Sequence, residues 1–512
     1  MAIADLRQPP AITGAEMEIE ACERKIAELG ENVSRAIAAV ERGEVPPEGI
    51  PDGEAVAREI AHYYSKMGDL ILARGDLDRA AVCYESALKL NPRQLSARMN
   101  LLKTKNFITE DDTTKAFLMG MLAEEPDNVG FLNQLGKIHY KLYERGQALD
   151  CFQRAVEIDP ETADTLYWLA GLQQATGDSK AAEENYIRAV KIKPLIKVPA
   201  VKAVPDFSVL LIFAPFAGNT PTEYLLAKPP YEINISPLFP QVASDLNLLR
   251  SSGDIVINFV SDADQGRSVL PLVTTLVDQL GKPVINHPEK IQKTTREGIA
   301  MLLKNIPNCR LARVVRHAAG EAASAEALQK KIDFLLPLLA RPAGTHGGDK
   351  FEKIDSFETL ASFIQEEPTA DHYLMEYIDY QSADGHFCKY RFIFVDGQIL
   401  PYHLAIGDHW KVHHITTDMS KNLWMQAEEE AFLKNPTAVF SAKHYQALQS
   451  IQQAVGLEYF GIDCGLDKDD NLVIFEVNAS MLVHQQNEGY PYKTPYVAKI
   501  KQAFDDMLGK LI

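Results

Sequence analysis

The chain has 512 residues, of which 46% are apolar, so it is long enough to fold around more than one hydrophobic core. It carries 52 lysines and arginines against 70 aspartates and glutamates, a formal net charge of −18. A field of that sign repels nucleic-acid phosphates and acidic membrane surfaces, so neither is expected as a partner. Six scattered cysteines form no CxxC pair, which favours reduced thiols over a disulfide framework or a zinc site.

The sequence predicts neither a secretory signal nor a membrane span. Residues Met1–Gly14 mix charges and prolines without an apolar core. The longest apolar run, Val209–Ala217, is too short to cross a bilayer. We therefore expect a cytoplasmic protein.

Prolines recur at a fixed interval in the first part of the chain. Pro92, Pro126, Pro160 and Pro194 are 34 residues apart, and a period of this size indicates tandem supersecondary units. Small, aromatic and glycine residues keep the same register, in the sets Ala80, Ala148 and Ala182; Tyr84, Phe152 and Tyr186; Ala87, Ala155 and Ala189; Gly68 and Gly136; Gly75 and Gly177. Small residues let two helices approach, aromatic residues fill the gap, and each proline ends a second helix.

This pattern resembles the tetratricopeptide repeat, over four units from Ala57 to Pro194. The second unit, Arg93–Pro126, is degenerate, because larger or polar residues replace the small and aromatic ones at Leu102, Thr114, Leu118 and Met121. The resemblance implies a helical solenoid whose concave face binds a peptide or protein partner, and the alternative is a plain helical bundle. Ahead of the repeats we expect an amphipathic helix over Glu16–Glu44 and a linker over Pro46–Asp52.

After the repeats the pattern changes to short apolar runs separated by helical stretches. The runs are Phe207–Ala214, Asp254–Val260 and Pro283–Asn286. Such alternation predicts βαβ units and a parallel sheet. Lys290–Asn305 is predicted as a helix that leads into a further region, with a boundary near Ala300.

The segment Gly461–Asn478 carries two apolar strands around a turn rich in aspartate, which is the pattern of a β-hairpin. With a turn centred on Asp469–Asp470, Asp463 pairs directly with Glu476, and their Cβ atoms lie roughly 5 Å apart. Asn478 is two residues further along and projects from the same face. One face of the hairpin thus carries two carboxylates and an amide.

Like charges that face each other across a hairpin destabilise it unless a cation lies between them. Magnesium suits this place, because it takes oxygen ligands at about 2.1 Å and is held by one or two carboxylates together with substrate phosphates. The alternative is a surface hairpin with solvated acids. Phe475 and Val477 argue against it, since they place Glu476 in an apolar strand where an uncompensated charge is costly.

A second hairpin is predicted over Lys389–Leu400, around an Asp-Gly turn. Strand alternation places Lys389 and Arg391 on one face, where two cations can neutralise a transferring phosphoryl group. The alternative is a solvated cationic face. The two-residue turn sets His403 opposite Tyr390, so that His403 faces away from Arg391.

Asp463, Glu476 and Asn478 match, one by one, the metal signature of the ATP-grasp superfamily, to which residues 301–512 are similar. The Pro-Gly that commonly follows this signature is replaced by Ala479–Met481. The resemblance implies that the protein binds ATP with Mg2+, and that those three side chains hold the metal.

Other motifs follow in the order that the superfamily implies. After an apolar strand over Phe334–Ala340, the loop Arg341–Lys350 resembles a phosphate-binding loop, although alone it is equally an ordinary tight turn. The resemblance puts Arg341 in the place of the usual lysine and implies cofactor contacts from Gly344, Thr345, His346, Gly347 and Gly348.

The strand Tyr373–Ile378 is similar to the superfamily's hinge strand, which holds adenine through its backbone, although many buried strands have this pattern. The resemblance implies cofactor contacts from Glu376, Tyr377 and Ile378. It also implies that the catalytic cations are Arg391, Arg341 and Lys389. Arg391 matches the superfamily's pattern, whereas Lys389 stands where the superfamily often has an aspartate.

A histidine-rich stretch follows the second hairpin. His409, His413 and His414, with Asp408, have the composition of a zinc cluster. No cysteine lies close, and a loop that closes over a substrate fits Trp410–Lys411 at least as well. The sequence contains no GxxxxGK[ST], GxGxxG or kinase catalytic-loop motif.

We therefore expect an α+β multidomain chain. It comprises a helical segment and linker (1–56), an all-α tetratricopeptide solenoid (57–198), an α/β pre-ATP-grasp domain (199–300) and an α+β ATP-grasp domain (301–512). The resemblance implies a carboxylate-amine ligase that acts through an acyl phosphate, with contacts to the amino-acid or peptide acceptor in His484–Tyr492. The alternatives are an interaction scaffold that binds nucleotide with weakened catalysis, and a phosphotransferase.

Overall fold

The structure is a computed structural model. It describes residues 14–42, 53–105, 111–214, 216, 218–220, 225–227, 229–345, 350–412, 417–484, 487 and 489–512. The chain forms two compact units, Met1–Ala189 and Val190–Ile512. No helix among these residues is long and apolar enough to span a membrane.

Helices alone make up the described part of the first unit, as the periodic pattern predicts. Their bounds are Gly14–Glu41, Gly53–Leu72, Leu77–Leu90, Leu95–Lys105, Asp111–Glu124, Val129–Lys141, Arg145–Ile158, Ala163–Ala175 and Ser179–Ile192. The first corresponds to the helix predicted over Glu16–Glu44, while the predicted linker Pro46–Asp52 lies outside the described residues.

Glycines and aromatic residues at equivalent repeat positions interlock. A Cβ atom at Gly68 would lie 2.5 Å from Cε1 of Tyr84, and one at Gly136 would lie 2.8 Å from Cζ of Phe152. Both rings are fully buried. The absence of a side chain at each glycine therefore lets the neighbouring helix insert its ring, as the period predicts.

The degenerate second repeat still forms two helices, Leu95–Lys105 and Asp111–Glu124. Leu118 is fully buried, and Thr114 and Met121 are buried as well. Leu118 and Met121 pack with Phe131 and Leu135 of the next helix in one apolar cluster. These larger side chains therefore contribute to packing against the repeat that follows.

Gly136→Ala is expected to lower the free energy of unfolding by about 1–3 kcal/mol, because the added methyl group overlaps the Phe152 ring. Denaturant unfolding of the full chain measures this. Gly120→Ala is the matched control, since its Cβ would meet nothing within 4 Å. This control is expected to be neutral or slightly stabilising, and equal losses in both variants would contradict the interlocking.

The second unit mixes strands and helices. Its strands are β1 (Ile196–Val198), β2 (Ser208–Phe213), β3 (Glu232–Pro237), β4 (Ile255–Asn258), β5 (Val284–Ile285), β6 (Cys309–Leu311), β7 (Val314–His317), β8 (Leu338–Pro342), β9 (Glu352–Ile354), β10 (His372–Glu376), β11 (Phe387–Val395), β12 (Gln398–Gly407), β13 (Tyr459–Leu466) and β14 (Leu472–Asn478). Its α-helices are Leu246–Ser251, Leu270–Leu280, Pro288–Ile291, Arg296–Leu303, Ala325–Lys331, Phe357–Glu366, Leu423–Lys434, Ala442–Val455 and Thr494–Gly509.

The predicted parallel sheet is confirmed. β2 pairs in parallel with β3 and β4, and β4 with β5, while β1 adds an antiparallel edge in the order β1-β3-β2-β4-β5. The three predicted apolar runs correspond to β2, β4 and β5. β1 and β3 were not predicted.

Two predicted elements are corrected. The helix over Lys290–Asn305 is interrupted, because Thr295 caps a new helix by accepting a hydrogen bond from the N–H of Gly298 through its side chain. The strand over Phe334–Ala340 begins only at Leu338, where pairing with β9 and β10 starts.

Two further sheets frame the rest of this unit. One has the order β7-β10-β8-β9 and the other β12-β11-β13-β14-β6. The second sheet shares one apolar core with helices on its face, including the fully buried rings of Phe392, Phe394, Phe440 and Phe460. The polar side chains described next therefore stand on a rigid, buried support.

Candidate functional site

The hairpin of β13 and β14 brings Asp463 directly opposite Glu476, as predicted. The turn differs from the prediction, because Leu466 pairs with Leu472 and leaves five residues, Asp467–Asn471, between the strands. A bulge at Phe475 then compensates for the shift in register. The predicted pairing is therefore correct, although the predicted centre of the turn is wrong.

The hairpin of β11 and β12 has the predicted two-residue turn, at Asp396–Gly397. Its register shifts after Phe392, so that Tyr402 is an extra residue in β12 and His403 lies opposite Arg391. The prediction that His403 opposes Tyr390 and faces away from Arg391 is therefore wrong. A single bulge reverses the face of every residue beyond it, and the turn residues do not encode it.

The two bulges align four polar side chains in one row across the sheet. His403 of β12 opposes Arg391 of β11, Arg391 opposes Asp463 of β13, and Asp463 opposes Glu476 of β14. Directly opposed residues share a face of a sheet. We call these four residues the polar row.

Asp463 is buried and accepts three bonds from cations. Arg391 donates to its two carboxylate oxygens over 2.6 and 3.0 Å, and Nζ of Lys389 lies 3.1 Å away. Burial alone would raise the pKa of Asp463, but the charges and hydrogen bonds of Arg391 and Lys389 hold it well below its ordinary value. This carboxylate is ionised at any physiological pH.

Glu476 has a different environment. A terminal nitrogen of Arg296 donates to its carboxylate over 3.2 Å, and the other terminal nitrogen donates to the backbone carbonyl of the bulge residue Phe475 over 3.3 Å. Protein cations thus separate and neutralise the two carboxylates. Lys389, Arg391 and Arg296 thus supply the cationic charge that the facing acids require, and the magnesium site stays a prediction.

The residues present nevertheless fit Mg2+ in their chemistry. Glu476 is partly exposed, and Asn478, which pairs with Gly461, lies two residues along from it on the same face. The amide oxygen of Asn478 accepts hydrogen bonds from the backbone and hydroxyl of Ser480, which holds it in place. Two carboxylates and an oriented amide oxygen are hard ligands of the type that Mg2+ prefers.

A cavity lies between the two sheets of this region and ends at the polar row. Aromatic and apolar residues form part of its wall, namely Phe351, Tyr377, Ile378, Tyr380, Trp410 and Phe475. Charged side chains form much of the rest, namely Arg296, Arg341, Lys389, Arg391, Lys411, Glu376, Asp463 and Glu476. We call it the aromatic-cationic cavity.

Arg341 lines this cavity but is engaged with its own loop. Nε donates to the hydroxyl of Thr345 over 2.9 Å, a terminal nitrogen donates to the Thr345 carbonyl, and the guanidinium stacks on Phe351 at 5.4 Å. Gly344 has a positive φ of 74° and accepts a hydrogen bond from Gln265. Of the predicted loop contacts, His346, Gly347 and Gly348 lie outside the described residues.

The three predicted hinge residues all line the aromatic-cationic cavity. Glu376 ends β10, and its carboxylate accepts a hydrogen bond from Nε of Arg313 over 3.1 Å. Lys353 lies over the ring of Tyr377 at 3.7 Å. The structure therefore brings Glu376, Tyr377 and Ile378 together with the predicted catalytic cations.

The alternative prediction, a zinc cluster, includes residues that the structure does not describe. His413 and His414 lie outside the described residues. Among the residues that are described, no three His, Cys, Asp or Glu side chains are placed to hold a metal ion. Trp410 and Lys411 line the aromatic-cationic cavity, as expected for residues of a loop over a substrate.

Sequence reasoning missed several polar residues of the site. Arg296 starts a helix and reaches Glu476 across 180 residues of sequence. Glu429 and Lys493 form a buried ion pair beside His403. None stands in a motif, but Glu429 lies on the same helix face as the buried Met425, Phe432 and Leu433, which a helical projection of the sequence would have found.

Asp463→Asn is expected to lower the free energy of unfolding by about 3–5 kcal/mol, because it leaves Arg391 and Lys389 without their buried counter-ion. Glu476→Gln, its control on the facing strand, is expected to cost less than about 1 kcal/mol, since its single ion pair is partly exposed. Denaturant titration of both variants measures the difference. Equal losses would contradict the buried-anchor role of Asp463.

The family model of the tetratricopeptide repeat matches residues 59–94, 129–162 and 163–194. Solved structures that match parts of the chain include MamA from Desulfovibrio magneticus RS-1, at 19% identity over 36% of this chain and 97% of that chain, with a TM-score of 0.24. They include the ATP-grasp ligase PsnB with a precursor peptide and AMPPNP, at 16% identity over 60% and 99%, with a TM-score of 0.37. D-cycloserine synthetase DcsG matches at 11% identity over 59% and 99%, also with a TM-score of 0.37.

No curated protein sequence matches the chain significantly. The N-terminal part of the chain carries tetratricopeptide repeats, and the mixed α/β unit that follows resembles an ATP-grasp fold in the residue pattern of its site.

Proposed function

We propose that the protein is an ATP-dependent carboxylate-amine ligase that acts through an acyl phosphate. The observation that carries this proposal is the charge of the aromatic-cationic cavity. Five cationic side chains line it against three acidic ones, a surplus of two positive charges in a chain whose net charge is −18. Such a local reversal of sign suits a polyphosphate ligand.

The two kinds of side chain in the wall suit the two parts of ATP. Tyr377 and Trp410 meet edge to face, and Phe351 meets Trp410 in the same way, so these rings offer their surfaces to a purine. Lys389 and Arg391 offer cations to the phosphates. Gly344 and Thr345 line a neighbouring cavity, which shares Arg296, Arg341 and Glu476 with this one, as expected for a loop beside the phosphates.

Arg391 is the cation best prepared to stabilise the transferring phosphoryl group. Asp463 binds it through Nε and one terminal nitrogen, which fixes the guanidinium plane and leaves further N–H donors on the other terminal nitrogen. A donor held in advance needs no reorganisation when charge develops. Lys389 is fixed by the same carboxylate.

Asp463, Glu476 and Asn478 would hold Mg2+, which when bound neutralises the charge of the polyphosphate. Of the two carboxylates, Glu476 is more accessible than Asp463. The chain's own residues would bind the nucleotide, orient the phosphoryl group toward the acceptor carboxylate, and shield the acyl phosphate from water.

We infer further that the tetratricopeptide repeats recruit a peptide or protein partner.

Glu476→Gln is expected to reduce MgATP turnover by about 100-fold or more, because it removes one negative charge from the metal ligands. ADP release is measured with N-acetyl amino acids as carboxylates and amino acid amides as amines. Glu289→Gln is the matched control, since Glu289 forms an exposed ion pair with Lys293 and is expected to keep full activity.

The same assay separates the alternatives. A ligase releases ADP only when carboxylate and amine are both present, whereas a phosphotransferase needs one acceptor. An interaction scaffold binds ATP without releasing ADP. Unaltered turnover in Glu476→Gln, with the control also active, would reject the assigned metal ligands.

A further inference from the structure

A second cavity adjoins the aromatic-cationic cavity, and Arg391 and Glu476 line both. We call it the acceptor cavity. Its wall combines polar side chains, among them His403, Asn478, His484 and Lys493, with the apolar Met419, Met481 and Leu482. A reacting group attached to a phosphate at Arg391 would therefore be accessible from this side. His403 lies at the end of the polar row and lines this cavity. Its hydrogen bonds determine which of its ring nitrogens can accept a proton.

Glu429 fixes the imidazole of His403 from behind. This carboxylate is fully buried and accepts hydrogen bonds from Nδ1 of His403, Nζ of Lys493 over 3.0 Å, and the hydroxyl of Tyr492 over 2.6 Å. The backbone N–H of Leu404 also donates to it, over 3.2 Å. Four donors, two from β12 and two from Tyr492 and Lys493, hold the carboxylate still.

These contacts decide which ring nitrogen carries the proton. Glu429 can only accept, because its hydrogen bonds and the charge of Lys493 hold its pKa near 2 against the effect of burial. Nδ1 of His403 must therefore carry a hydrogen toward it, although Nζ of Lys493 also lies 3.1 Å from that nitrogen. Nε2 is then a bare acceptor. Within the described part of the chain no protein group hydrogen-bonds to it.

We propose that the acceptor cavity receives a primary amine as co-substrate, and that Nε2 of His403 takes the proton of the attacking amine. This inference rests on the proposed ligase function. The amine nitrogen forms a bond to the acyl carbon, the bond from that carbon to the phosphate oxygen breaks, and phosphate leaves with the electron pair. The proton from nitrogen passes to Nε2, and Glu429 stabilises the resulting imidazolium.

The electrostatics of His403 leave Nε2 without a proton in the free protein. Burial lowers its pKa to about 4, and the charges of Lys493 and Arg391 act in the same direction, against the hydrogen bond and charge of Glu429. The ring is therefore neutral at physiological pH, and while the two cations are unshielded it is a weaker base than a free imidazole. A polyphosphate beside Arg391 would counter the two cations and make the ring a stronger base.

His403→Asn tests the proposal, because an asparagine amide can still donate to Glu429 but contains no base. The full chain is incubated with MgATP, N-acetyl amino acids and one of two nucleophiles. The adduct of an amino acid amide holds its nitrogen proton firmly and needs a proton acceptor. Hydroxylamine is a weaker base, so its adduct loses the proton to water and traps the acyl phosphate as a hydroxamate. We expect amide formation to fall by about 100-fold, while hydroxamate formation and the KM for ATP change less than about twofold.

His62→Asn is the matched control, since His62 is exposed on the repeats and lies outside both cavities. Equal losses of amide and hydroxamate in His403→Asn would overturn the proposal, because His403 would then act in phosphoryl transfer or in folding. Unchanged amide formation would also overturn it. A wild-type chain that forms no hydroxamate would instead reject the ligase function itself, so the two failures are distinguishable.

Discussion

The site depends on one interaction, the buried ion pair between Arg391 and Asp463. It joins β11 to β13 at the middle of the sheet, over a core of fully buried aromatic rings. Asp463 stays ionised there only because Arg391 and Lys389 bind it, and Arg391 holds one orientation only because Asp463 fixes its plane. Both cavities border Arg391, so the orientation of this one guanidinium governs what each of them can bind.

The two carboxylates of the polar row differ in environment, although they face each other. Asp463 is buried under two cations and serves as an anchor, whereas Glu476 binds Arg296 and borders both cavities. The cations paired with each carboxylate offset the repulsion between the two like charges. The aromatic-cationic cavity stays positive in an acidic protein, because Arg391 and Lys389 carry two positive charges against the single negative charge of Asp463.

In the repeats, the shapes of facing side chains determine how closely the helices pack. Gly68 and Gly136 accept the rings of Tyr84 and Phe152, whereas in the degenerate repeat Leu118 and Met121 pack on the helix of the next repeat. Buried volume can thus be supplied by a different type of residue. Helices therefore form there although the sequence signature fades.

The 34-residue period and the alternation of apolar strands with helical stretches made much of the fold predictable. The 34-residue interval predicted the repeats, and the alternation of strands and helices predicted the parallel sheet. The turn assumed at Asp469–Asp470 placed Asp463 opposite Glu476, and the bulge at Phe475 preserves that pairing although the turn differs. The roles of these residues as metal ligands stay predictions, as does the domain boundary near Ala300. The prediction of His403 failed because an extra residue in β12, Tyr402, reversed its face.

The sequence by itself determined the elements whose signals are local, namely the helical period, the strand alternation and the turn residues. Tertiary structure alone decided the two bulges, the approach of Arg296 to Glu476, and the cluster of His403, Glu429 and Lys493. The physical reason is the range of the forces involved. Backbone preferences act between near neighbours in the chain, whereas ion pairs and buried hydrogen bonds form between groups that only the packed core brings together.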